Sequence, residues 1–151
     1  MPDHAVLAST TLVVAGMAAL SALGYAWARP IRPAVRWPLL AVTTAATMLV
    51  FITATAGSSL LHDVEVSAPA AEVTAAQAHG HSADGFAIAM VCLLVAVLAT
   101  IWGALRPDRE RWSVGMWTGA LFLAITAIAT LVTGGQVLGA ALHAVAVRNG
   151  V

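Results

Sequence analysis

The chain has no lysine, one cysteine and very little charge. Only 9% of its 151 residues are Asp, Glu, Lys or Arg, against about a quarter in a soluble domain. A chain this poor in charge cannot clothe a water-facing surface, which places it in lipid. It has no basic tract and zero formal net charge, so nothing points to nucleic acid. Cys92 lies in an apolar run with no second cysteine, so an intrachain disulfide is excluded. No acid or base lies deep within an apolar run. Ion pumps, proton relays and carriers of charged substrates place one there, so transport through the molecule is disfavoured. A hydrolase working inside the membrane would also need a buried acid. No catalytic constellation is visible, and the reading leans away from an enzyme, with electron transfer as the most that is expected.

What the chain has is apolar length. It is 60% hydrophobic, with a mean hydropathy of +0.90. Four runs, at about 5–28, 38–61, 85–105 and 113–147, reach the ~20 residues that cross a hydrocarbon core. None alternates polar and apolar as a barrel strand does. The expected fold is all-α: a single polytopic membrane domain built as a four-transmembrane-helix bundle. The first run does not read as a signal peptide, because "MPDH" is acidic and the positive charge follows the apolar run.

Charge sets the direction. Arg29, Arg32 and Arg36 follow span one; Arg106, Arg109 and Arg111 follow span three. The 62–84 segment has no Lys or Arg but carries Asp63, Glu65, Glu72 and Asp84. The positive-inside rule puts both arginine loops in the cytoplasm and both termini outside. Trp27, Trp37, Trp102, Trp112 and Trp117 flank the arginine loops and read as an interfacial belt. The all-arginine usage, with abundant Ala and Val, points to a GC-rich bacterial genome and a plasma membrane.

The chain reads as two duplicated hairpins. "WARPIRPAVRW" (27–37) parallels "WGALRPDRERW" (102–112) at an offset of 75, which also carries His4 to His79. "GSSLLHDV" (57–64) parallels "LGAALHAV" (138–145) at an offset of 81, as if about six residues were inserted in span four. Such hairpins would be related by a twofold axis along the membrane normal.

In this topology all five histidines fall at the outer face. Bundles build cofactor sites from side chains on facing helices, and imidazole is the commonest metal ligand. Haem iron takes axial histidine, and its ring suits an apolar interior. A bare Zn or Cu site would draw on three or four of the histidines. The candidate ligands, in order, are His143 and His62, then His81 and His4, with His79 last. The plainer alternative is that they are interfacial polar residues and no cofactor is bound. Removal of Met1 before Pro2 would also leave an amine-x-x-His terminus able to chelate Cu(II). Gly135, Gly139 and His143 share one face of span four; the glycines serve either close helix packing or room for a macrocycle. Within 62–84, Ser67, Pro69 and Gly80 punctuate a short helix across the outer end, with Ser82 capping span three. That favours His81 over His79 as the inward-facing residue, although the repeat favours His79.

His4, Gly57 with Asp63, His81 and the closing "GGQVLGAALHAVAVRNGV" (134–151) resemble the pattern of a family of small bacterial four-helix membrane proteins of unknown function. The first helix lacks that family's usual His-Pro opening and acid. The resemblance implies a membrane-bound role linked to haem or respiratory chemistry. The expected function is a plasma-membrane protein with a histidine-ligated group at its outer rim: haem b first, Cu or Zn otherwise. It would serve electron transfer, with a quinol as a partner, as part of a larger redox complex or a homo-oligomer. The alternative is a cofactor-free accessory subunit of such a complex.

Overall fold

In lipid every backbone N–H and C=O must find a partner within its own segment, so long apolar runs favour unbroken helix. The computed structural model describes residues 2–105 and 113–149, and they are helical almost throughout, with no strand among them. Helix α1 spans Pro2–Trp27. A 3-10 turn, Arg29–Ile31, leads into α2, Arg32–Ser67. Helix α3 spans Ala70–Ala99 and runs on into a π-helical turn, Thr100–Ala104. Helix α4 spans Val114–Arg148, and the Ser113 hydroxyl caps it by accepting from the Met116 N–H at 3.3 Å. All four helices are long and apolar enough to cross a membrane, as expected of a multi-pass protein.

The helices form a square. α1 packs on α2, α2 on α3, α3 on α4 and α4 on α1, while α1 and α3 barely touch across the diagonal. Alanine makes the square tight. Ala15, Ala18, Ala19, Ala22 and Ala26 line one buried face of α1 at the three-to-four-residue spacing of a helix stripe. Small side chains let neighbouring backbones approach, which drives helix association where lipid is as apolar as the core. Larger side chains fill the opposite corner: Met90, Leu93, Ile101, Met116 and Leu123 are buried there. Buried threonines satisfy their hydroxyls within their own helices; Thr43, for example, donates to the Leu39 carbonyl at 2.7 Å.

At the end of the bundle that carries the tryptophans, Arg32 turns back onto α1. It is 2% exposed. Its Nε donates to the Tyr25 carbonyl at 3.0 Å and its Nη2 to the Ala26 carbonyl at 2.8 Å. A helix C-terminus leaves such carbonyls without intrahelical partners. Tyr25 in turn donates from its hydroxyl to the Leu105 carbonyl at 3.1 Å, tying α1 to the end of α3. Arg36 sits over the Trp37 ring at 4.5 Å. Two tryptophan pairs clamp this end. Trp27 meets Trp117 between α1 and α4, and Trp37 meets Trp102 between α2 and α3, both edge-to-face with centroids 6.2 Å apart. Trp112 and Arg106, Arg109 and Arg111 lie outside the described residues.

Two boundaries differ from the sequence expectation. α2 begins at Arg32 and not near Pro38, because Pro33 suits a first helical turn and the apolar face continues past Pro38. The 62–84 segment is not a loop with a short helix. α2 continues to Ser67, only Ala68 and Pro69 are extended, and α3 starts at Ala70 and passes through Gly80 and Ser82 unbroken. It contacts α2 along this stretch: Leu61 packs against Gly80, and Gln77 donates to the Glu65 carboxylate at 3.0 Å. The helices are therefore unequal. α1 has 26 residues, against 36 in α2, 35 in α4 and 30 plus the π turn in α3.

Candidate functional site

The five histidines lie at the end of the bundle opposite the tryptophan pairs. His4 is in the first turn of α1, and His62 and His143 are each five residues from the end of α2 and α4. His79 and His81 are in the first half of α3.

Burial divides them. His62, His81 and His143 are exposed, whereas His4 and His79 are partly buried. The Nδ1 atoms of both His4 and His79 are buried without a hydrogen-bond partner. His4 lies against α2, in a seat opened by glycine: a Cβ on Gly57 would stand 3.5 Å from its Cε1 and 4.0 Å from its Nε2. His79 lies near the backbone of Val137 on α4. The two imidazoles are close enough to act on each other electrostatically.

The spacings to the tryptophans match in the two hairpins. His4 is 23 residues from Trp27, and His79 is 23 from Trp102. Gly57 is 20 residues from Trp37, and Val137 is 20 from Trp117. Between the two ends, the Thr11 and Thr53 hydroxyls meet at 2.9 Å. Between α3 and α4, Phe86 lies against Gly134, where a Cβ would stand 3.3 Å from the ring. Aligning Trp37 with Trp117 takes an offset of 80.

Several site expectations change. Among the described residues no three His, Cys, Asp or Glu side chains come together as a metal cluster, so the three- or four-histidine site is not formed. His143 and His62, ranked first, project from the bundle. His79, ranked last, belongs to the buried pair. The preference for His81 assumed a helix stop at Gly80 and a cap at Ser82. Instead the Ser82 hydroxyl donates to the His79 carbonyl at 2.8 Å inside a continuous helix. Gly135 and Gly139 are exposed, and a Cβ on either would meet nothing within 4 Å, so they pack against no helix of this chain among the described residues. Close approach falls at Gly119 instead, where a Cβ would overlap that of Ala104. A groove between α1 and α4, lined by Leu12, Gly16, Phe86 and Gly134 among others, has a volume of about 180 Å³ and contains no histidine. Gly57, Val137, Tyr25 and Arg32 were not singled out from sequence as site residues. The 75-residue offset was the signal that pointed to the pair.

Compared with known proteins, the chain matches no family, no curated protein and no solved structure.

Proposed function

We propose that this chain is a small multi-pass protein of a bacterial plasma membrane whose outer rim holds a histidine-ligated redox group. The group is haem iron or a bare metal, and its role is electron transfer with a quinol or a larger redox complex. The observation that carries this reading is the pair of buried, partnerless Nδ1 atoms on His4 and His79. More than about 90% of buried polar groups in proteins have a partner. Leaving one unsatisfied costs about 1–3 kcal/mol. A ligand bound at these atoms would satisfy them. Metal-bound histidines donate their other ring N–H to a carbonyl or carboxylate, which holds the ring in place, and the Val137 backbone lies near His79.

The arginine turns support a cytoplasmic tryptophan end and an extracytoplasmic histidine end. The matched spacings support duplication of a helical hairpin, with the twofold axis passing between His4 and His79.

The test is the visible spectrum and metal content of protein purified from its native membrane. A Soret band or a stoichiometric metal is expected, lost in His4→Ala and His79→Ala and kept in His62→Ala, His81→Ala and His143→Ala. Protein with neither band nor metal overturns the reading.

A second reading is favoured by one observation. Gly135 and Gly139 form an open small-residue face on α4, beside exposed Leu138 and Leu142. Such faces admit a neighbouring helix, which suits a cofactor-free subunit of a larger complex or a homo-oligomer. A stoichiometric partner that survives His4→Ala and His79→Ala but is lost in Gly139→Leu would establish it.

A further inference from the structure

We infer that the tryptophan end of the bundle binds an anionic phospholipid, whose phosphate takes the guanidinium of Arg36 beside the Trp37–Trp102 pair. This rests on the chain crossing a membrane and not on the histidine rim.

The charge of the chain is divided by end. Six of its seven arginines lie in the two turns at the tryptophan end, with two acids, Asp108 and Glu110. The opposite end has Arg148 and the other five acids. The zero net charge thus conceals an excess of positive charge at one end and of negative charge at the other.

Two of the arginines are placed by the backbone. Arg32 and Arg36 are four residues apart on α2 and share a face, with no acid in the first turn of that helix. Like charges at this spacing repel, and a helix N-terminus adds partial positive charge of its own. Arg32 is engaged with the carbonyls of Tyr25 and Ala26. Arg36 is not held in that way. Among the described residues its guanidinium makes no hydrogen bond or ion pair, and its Nε is buried without a partner. It lies over the face of Trp37, 4.5 Å from the ring centroid.

The indoles indicate which anion fits. Trp37 and Trp102 meet edge to face between α2 and α3 and are 53% and 52% exposed. Indoles on a membrane-crossing bundle settle at the headgroup level, so they hold the Arg36 guanidinium at that depth. The anion abundant there is the phosphodiester of a lipid. A guanidinium is a planar fork that matches phosphate oxygens, and basic sites between membrane helices take lipid headgroups. A zwitterionic lipid brings its own cation to the phosphate. An anionic lipid does not, and the positive excess of this end favours it.

The experiment uses the full chain in phosphatidylcholine nanodiscs. Brominated phosphatidylglycerol, or brominated phosphatidylcholine of the same acyl chains, is added in steps while tryptophan fluorescence is followed. All five tryptophans flank the arginine turns, so quenching reports on lipid at this end. The anionic lipid should reach half-quenching at a several-fold lower mole fraction than the zwitterionic one, a comparison that needs no variant to fold. Arg36→Ala should reduce that preference roughly fivefold, the worth of one arginine at an anionic surface. Arg36→Lys should lie between, because it keeps the charge and loses the fork. Arg148→Ala, at the opposite end, should match the wild type. Equal quenching by the two lipids, or a preference kept whole in Arg36→Ala, overturns the inference. Arg36→Lys equal to the wild type shows surface charge alone and overturns the contact with the phosphate. A preference abolished by inorganic phosphate at the concentration of the added lipid overturns the lipid as the ligand. A preference unchanged in the His4→Ala/His79→Ala variant is expected, which separates this result from the fate of the histidine rim.

Discussion

Arg32 shows how much a single side chain's role depends on tertiary context. From sequence it is one of three arginines in a charged turn, and orientation explains all three equally. In the structure its fork closes the end of α1 by reaching two successive carbonyls. Hydrogen bonds to a charged group contribute about 1.5–3 kcal/mol. Arg32→Ala should lower stability by about that amount, read as a reduced melting temperature in detergent. Arg32→Lys should recover only part of it, because an ammonium cannot match the planar fork. Gly57 is the second case. Nothing in the sequence ties it, among 12 glycines, to a histidine, since its meaning lies in the ring of His4 on another helix. A methyl there would meet that ring at ordinary contact distance. Gly57→Ala should therefore raise stability by up to about 1 kcal/mol through helix propensity and keep the histidine pair. Gly57→Leu should displace His4 and abolish metal or haem binding at the rim, as absorption and metal analysis would show.

At the scale of the helix, apolar length was a sound guide to where each long helix lies, because unbroken apolar runs favour unbroken helix. Local punctuation was a poor guide beyond the apolar runs. Gly80 and Ser82 carry the signals of a helix end, but the packing of Leu61 and the Gln77–Glu65 hydrogen bond outweigh a glycine penalty of about 1 kcal/mol. The π turn at Thr100–Ala104 had no signature. It closes through a bond from the Leu105 N–H to the Thr100 carbonyl at 2.9 Å, and it brings Ala104 against Gly119 of α4. Gly119→Ala should cost about 1–3 kcal/mol by overpacking. Gly103→Ala, next to the same contact but facing open space, should be neutral or mildly stabilising. Paired thermal melts of the two variants would separate close packing from any general effect of the turn.

For the molecule as a whole, class and span number were legible in composition, but the order of helices around the square was not. The offset of 75 residues held more site information than helix-end chemistry did, since it joins positions that only a shared architecture brings together. The tryptophan clamps test that architecture. Aromatic pairs contribute about 0.5–1.5 kcal/mol beyond burial in double-mutant cycles. Trp27 with Trp117 and Trp37 with Trp102 should each show coupling in this range and of similar size. Trp27 with Trp102, which belong to different pairs, should be additive within about 0.5 kcal/mol.

The paired spacings also make the bundle a ruler. Twenty to twenty-three residues of helix separate the indole rings from the imidazole pair and its seat, a rise of about 30–35 Å. The hydrocarbon core of a bilayer is about 30 Å thick and varies by a few ångströms between membranes. With the indoles anchored at one interface, as the proposed function has it, the lipid would decide whether the imidazoles stand in water or just beneath it. A thinner bilayer would lift the pair into the aqueous phase, and a thicker one would draw it under the headgroups. On that proposal, acyl-chain length becomes a dial on how readily an ion, or an electron donor dissolved in the lipid, reaches His4 and His79.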